Sequence, residues 1–201
     1  MSNFQKWELQ MTQELRLNQR SVEDLINSNL TENKLNELIP NTRLTVCVEK
    51  IKNGKNSESQ RWDCLIMISE LYVKLTENQF PEFSPEKIKE MISEIESTLK
   101  WMIYNEKNCV VHHEVAYQIA ARNMINLIPD MVHAALHSES VVSRHEFTEC
   151  LGVMKAFDEL QEIIPSILQD SNQDVRQTAQ FAKDRMERYV NEKGWSALEI
   201  V

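Results

Sequence analysis

Residues 157–190 read FDELQEIIPSILQDSNQDVRQTAQFAKDRMERYV, and the periodicity of this stretch restricts the fold more than any other feature of the chain. Ile163, Ile164, Ile167 and Leu168 recur at helical spacing around Pro165. A polar turn covers 170–174, and a second helix opens at Val175-Arg176 with the small residues Ala179 and Ala182. Each such helix has one apolar stripe to bury, so consecutive helices must pack on each other. Only three glycines (Gly54, Gly152, Gly194) and five prolines occur in 201 residues, too few turn signals for a β architecture. The chain is therefore expected to be all-α.

The same rhythm runs upstream. Phe4, Trp7, Met11 and Leu15 mark an amphipathic first helix, and Leu44, Cys47, Val48 and Ile51 mark another. The polar run at 53–59 reads as an interhelical loop. Residues 60–76 are apolar nearly all round, which predicts a buried central helix. Ser84 as N-cap and Pro85 at the first helical position start the next helix. One long helix is expected over 108–127. LIPDMVHAAL around Pro129 and IIPSILQDS around Pro165 stand 36 residues apart (165 − 129), within the span of helical-pair repeats. These readings give a single all-α domain over 1–201, with N-terminal helices in 1–52 and a repeat body over 60–201.

The order of proline-bearing helix, polar turn and second helix with Asp174 and Arg176 resembles the HEAT/armadillo class of helical repeats, best over 157–190. The resemblance implies a solenoid of about nine to ten helices, with an Asp in the turn and an Arg early in the second helix tying neighbouring repeats together. An irregular helical bundle is the alternative. Repeats of this kind act as binding surfaces, so the resemblance implies a non-catalytic adaptor or scaffold for a protein or peptide; its cysteines, read as free thiols, place it in the cytoplasm or the nucleus.

Charge bears on the partner. There are 22 basic and 31 acidic residues, a net −9, and the whole surplus falls in 61–201. That balance disfavours nucleic acid, which needs clustered Lys and Arg, and disfavours anionic lipid. No apolar run reaches the ~20 residues that span a bilayer. Cys47, Cys64, Cys109 and Cys150 lack CxxC spacing and read as free thiols in a reducing compartment.

Chemistry finds few candidates, and no cofactor or metal is expected. Three isolated glycines cannot build a phosphate loop. His133 and His137 share a helix face, but Ala134 stands where a helical metalloprotease motif has its glutamate. His112-His113-Glu114 beside Cys109 is a second cluster, although adjacent residues on a helix point about 100° apart. Cys109 near His112, and Cys150 near His145-Glu146, are the local thiol–imidazole combinations. A helical metal- or thiol-dependent enzyme is therefore the second reading, and a bundle that homodimerises through Phe4, Trp7 and Met11 the third. For the adaptor reading, the expected contacts are Arg144, Arg176 and Arg185, with Trp101 and Trp195 as aromatic anchors. The tail from 195 to 201 is expected to cap the last repeat, or else to serve as a linear motif.

Overall fold

A computed structural model describes residues 22–28, 32–36 and 38–193. Phe4, Trp7 and Met11 of the expected dimerising helix, and Trp195 with the tail, lie outside the described residues. Among those described, ten α-helices and one 3-10 turn occur, with no strand. The helices are α1 (Val22–Asn27), α2 (Glu32–Asn36), α3 (Pro40–Lys52), α4 (Glu58–Thr76) and α5 (Pro85–Asn105). They continue as α6 (Cys109–Ala121), α7 (Ile128–His137), α8 (Val141–Val153), α9 (Phe157–Ile167) and α10 (Gln173–Lys193). The fold is an all-α helical repeat. Two compact units divide the chain at residues 98 and 99, within α5.

In the first unit α3 packs against α4 across the loop at 53–57, and α1 and α2 lie on α3 and α4 respectively. Helix α4 is entered through a reciprocal capping box, Ser57 with Gln60, which satisfies donors at both positions. Its buried residues include Leu65, Met67, Ile68 and Leu71, while Trp62 and Tyr72 are half-buried. The fully buried Lys50 donates Nζ to the carbonyls of Ile26 (2.7 Å) and Ser28 (2.6 Å) at the end of α1. A cation there complements the negative helix end. Helix α5 starts as its sequence predicts, with the Lys87 amide donating to Ser84 Oγ at 3.2 Å.

In the second unit the repeat is metrical. Helices α6, α8 and α10 open at Cys109, Val141 and Gln173, two equal steps of 32 residues (141 − 109, 173 − 141). The residues just before them, Asn108, Ser140 and Asn172, each accept backbone N–H bonds through the side chain. Helix α8 packs between α6 and α10, and α7 and α9 pack on α8 and on each other as a second layer. Phe147, Leu151, Leu160, Ile119, Val115 and Ala179 fill the interior.

Two expectations change here. The long helix over 108–127 is two elements: α6 ends at Ala121, Asn123 takes φ 48°, and a 3-10 turn at Ile125–Leu127 leads into α7. Asparagine tolerates this left-handed backbone better than most residues, and the break lets α7 reverse direction. The 36-residue pairing of prolines is also not the repeat, because Pro129 lies at the start of α7 and Pro165 near the end of α9. The true period resides in the second helices.

The carboxylate that joins successive repeats is Asp170 rather than Asp174. Arg144 Nε reaches Asp170 Oδ2 at 2.7 Å and Nη2 reaches Oδ1 at 3.0 Å, a bidentate pair. Arg144 Nη1 also donates to the Ser138 carbonyl at 2.8 Å, and Arg176 Nη1 donates to the Asp170 carbonyl at 2.6 Å, one repeat later. Arginine therefore ties the turns before α8 and α10 at the same register. The Arg144 fork holds the Asp170 carboxyl below the usual carboxylate range.

Candidate metal centre

The three equivalent helices place different side chains at one register. His112-His113-Glu114 on α6 stands 32 residues before Arg144-His145-Glu146 on α8, which stands 32 before Arg176-Gln177-Thr178 on α10. Because α6, α8 and α10 are neighbours in one layer, a residue on one helix meets the residue one place past its equivalent on the next, as His113 meets Glu146 and His145 meets Thr178.

His113 Nε2 lies 3.1 Å from Glu146 Oε2. On α8, His145 Nε2 lies 3.5 Å from Glu149 Oε2, one turn further on. Ligating atoms of His145, Glu146 and Glu149 all fall within 4.8 Å of one another. His145, Glu146 and Glu149 thus form one group on α8, and His113 of the preceding repeat meets it through Glu146. His113 and His145 side chains are 40% exposed, so a solute can reach them, whereas Glu146 is only 12% exposed and is held in place. Cys150 Sγ donates to Glu146 Oε1 at 3.5 Å from one turn below.

The neighbours of these residues do other work. His112 is buried: Nε2 donates to the Ile103 carbonyl at 3.0 Å, which leaves Nδ1 to accept from Ser143 Oγ at 2.8 Å. A carbonyl only accepts, so this pattern fixes the tautomer. Burial lowers the His112 pKa. The adjacent histidines do point apart as their spacing predicts, His112 into the core and His113 toward Glu146. Glu114 is buried with Gln118 donating to it. His133 and His137 are exposed on α7, stacked on each other at 4.8 Å and on Tyr104 at 5.0 Å. Cys109 is exposed at the first position of α6. Burial, reinforced by Glu146, pushes the Cys150 thiol far up, so it is a weak nucleophile.

Of the expected binding residues, Arg144 and Arg176 are engaged at the repeat turns, Arg185 is exposed on α10, and Trp101 is half-buried on α5. The residues that converge were missed singly because each was weighed against its own sequence neighbours. The readable signal was the dipeptide His-Glu, present at 113–114 and again at 145–146, one repeat apart.

The donor set suits a metal ion. Imidazole nitrogen with carboxylate oxygen matches the ligand types of zinc, iron and manganese sites. His145, Glu146 and Glu149 form a candidate metal-binding group that the reading of single helices did not single out.

Comparison with known proteins bears on the same point. The chain is 26% identical over 136 residues to deoxyhypusine hydroxylase of Saccharomyces cerevisiae (strain ATCC 204508 / S288c). The match takes in 67% of this chain and 39% of that enzyme, so the chain spans well under two thirds of its relative's length. No family model and no solved structure matches. Likeness to a named enzyme, together with the histidine–carboxylate group on α8, overturns the expectation of a non-catalytic adaptor. That expectation failed because helical repeats were equated with binding surfaces, whereas a repeat also brings equivalent side chains into register. Among the described residues no helix is long and apolar enough to cross a membrane.

Proposed function

We propose that this chain is a metal-dependent enzyme of the hydroxylase type, its metal held by the second helices of a HEAT-like repeat stack. The observation that carries the reading is the grouping of His145, Glu146 and Glu149 on one helix, with His113 of the preceding repeat set against Glu146. The similarity to deoxyhypusine hydroxylase supplies the reaction class, insertion of oxygen into a C–H bond of deoxyhypusine or a related substrate. The free thiols support a reducing compartment such as the cytoplasm.

His113, His145, Glu146 and Glu149 would hold the ion. A divalent iron bound by histidine and carboxylate supplies the means to activate dioxygen, with an external reductant providing the remaining electrons. The protein's own contributions are geometric and electrostatic. Rigid helices set the spacing of the donors, Glu146 is nearly enclosed, and the exposed imidazole edges leave one side open for substrate. Acidic side chains around the site favour a cationic substrate.

Ferrous iron added to the full chain without oxygen should bind in a defined ratio, and His113→Ala with Glu146→Gln should lose it. Incubation with a deoxyhypusine-bearing substrate, dioxygen and reductant should add one oxygen atom by mass. Undiminished iron binding in the double variant would remove these ligands from the reading, and a metal-loaded protein that never gains oxygen on substrate would remove the reaction class.

A further inference from the structure

The His-Glu dipeptide stops at the third repeat, and Thr178 occupies the place of Glu146 on α10. We infer that Thr178 is a positioning residue that fixes His145 as a metal ligand through Nε2. This inference rests on the metal-centre reading above and names the group that prepares one of its ligands.

The argument is a matter of where one proton goes. Thr178 Oγ1 is hydrogen-bonded to the Asp174 carbonyl at 3.0 Å, and a carbonyl can only accept, so the hydroxyl proton points there. The same oxygen is hydrogen-bonded to His145 Nδ1. With its proton committed to Asp174, Thr178 meets the ring as an acceptor, and Nδ1 must carry the hydrogen. Neutral His145 is thereby held as the Nδ1–H tautomer, with the Nε2 lone pair directed at the side where Glu149 Oε2 lies 3.5 Å away. A neutral ring facing a carboxylate at that separation calls for a cation between them, whereas a ring protonated on both nitrogens would pair with Glu149 directly. Thr178 is only 7% exposed, so water does not readily replace its hydroxyl, and it belongs to a different helix from the ligand it holds. Metal-bound histidines generally donate their second N–H to an outer partner, whose loss weakens the metal by a factor of about 10–100.

His112 makes the contrast. Its Nε2 donates to a carbonyl and its Nδ1 accepts from Ser143, so both nitrogens are consumed inside the fold. At His145, by contrast, the outer contact engages Nδ1 and leaves Nε2 available.

The test uses the full chain labelled with nitrogen-15 in histidine, and zinc ion alone as a diamagnetic probe. Metal-free wild type should show His145 protonated on Nδ1. Thr178→Val should lose that preference and weaken zinc by a factor of about 10–100, whereas Thr178→Ser should restore the tautomer and bind within about threefold of wild type. Unchanged helical circular dichroism in both variants controls for folding. A valine variant that keeps the Nδ1–H state and the zinc affinity overturns the inference. Wild type that shows the tautomer yet binds no zinc overturns the metal-centre reading and the ligand role with it. Wild type that binds zinc without the tautomer overturns the role of Thr178 alone.

Discussion

Replacing Arg144 with methionine tests the junction between repeats most sharply. The substitution keeps most of the aliphatic stem and removes the fork that holds both oxygens of Asp170 at 2.7 and 3.0 Å. The two side chains are 12% and 13% exposed, nearer to buried than to surface. Exposed ion pairs are worth about 0–1 kcal/mol. Breaking a buried pair costs about 3–5 kcal/mol, because an unpaired charge stays behind. An eighth of residual exposure places Arg144→Met at about 2–3 kcal/mol of destabilisation. The Asn172 amide, 2.8 Å from Asp170 Oδ1, remains as partial compensation and argues against a larger figure. Urea unfolding of the second unit's transition gives the number, as a lower midpoint at unchanged slope. Adding Asp170→Asn to the variant removes the stranded charge and should recover about 1 kcal/mol. The pair also has a pH signature. Asp170 is held below its unfolded range, so its contribution is complete above that range and disappears as pH falls through the folded value. Arg144→Met should flatten this acid loss. A single variant within about 0.5 kcal/mol of wild type, or a double variant no more stable than the single, would refute the reasoning.

Other substitutions address the interior. Phe147→Ala should cost about 3–5 kcal/mol in chemical denaturation, since Phe147 is fully buried against the His112 ring at 5.0 Å and its loss leaves a cavity. Gly152→Ala should raise the melting temperature and stabilise by about 0.5–1 kcal/mol, because a Cβ there meets Ala182 and Leu160 at an ordinary 3.9 Å within a helix. His112 is held neutral by burial, so the unfolded chain takes up a proton near pH 6.5 that the folded chain refuses. Stability should therefore be whole above that pH and decline below it, and His112→Gln should lower stability at pH 8 while reducing the slope between pH 6.5 and 5.

The fold was readable where local physics decides it. Ser84-Pro85 and the apolar stripe of α5 state a helix start and face without reference to any neighbour. The site was not readable in that way, because His113 and Glu146 belong to different helices and become neighbours only through the packing of α6 on α8. Reading His112 and His113 as pointing apart was sound geometry, but it looked only within one helix. The relevant partner of His113, Glu146, stood 33 residues away, one repeat of 32 and one position on. The proline-centred alignment hid that interval, since Pro129 and Pro165 differ in helix position while the caps Asn108, Ser140 and Asn172 do not. Asp174 was a reasonable choice for the linking carboxylate by family habit, but only coordinates show that Asp170 receives the arginine.

The equal intervals between α6, α8 and α10 limit how this molecule can change length. Removing a handful of residues from any intervening turn would slide one imidazole along its rod, away from the acid that faces it. Excising or duplicating an entire module keeps every survivor in phase. Ancestry by tandem copying would leave that signature, and it makes whole-module deletions the safest way to shorten the protein in the laboratory.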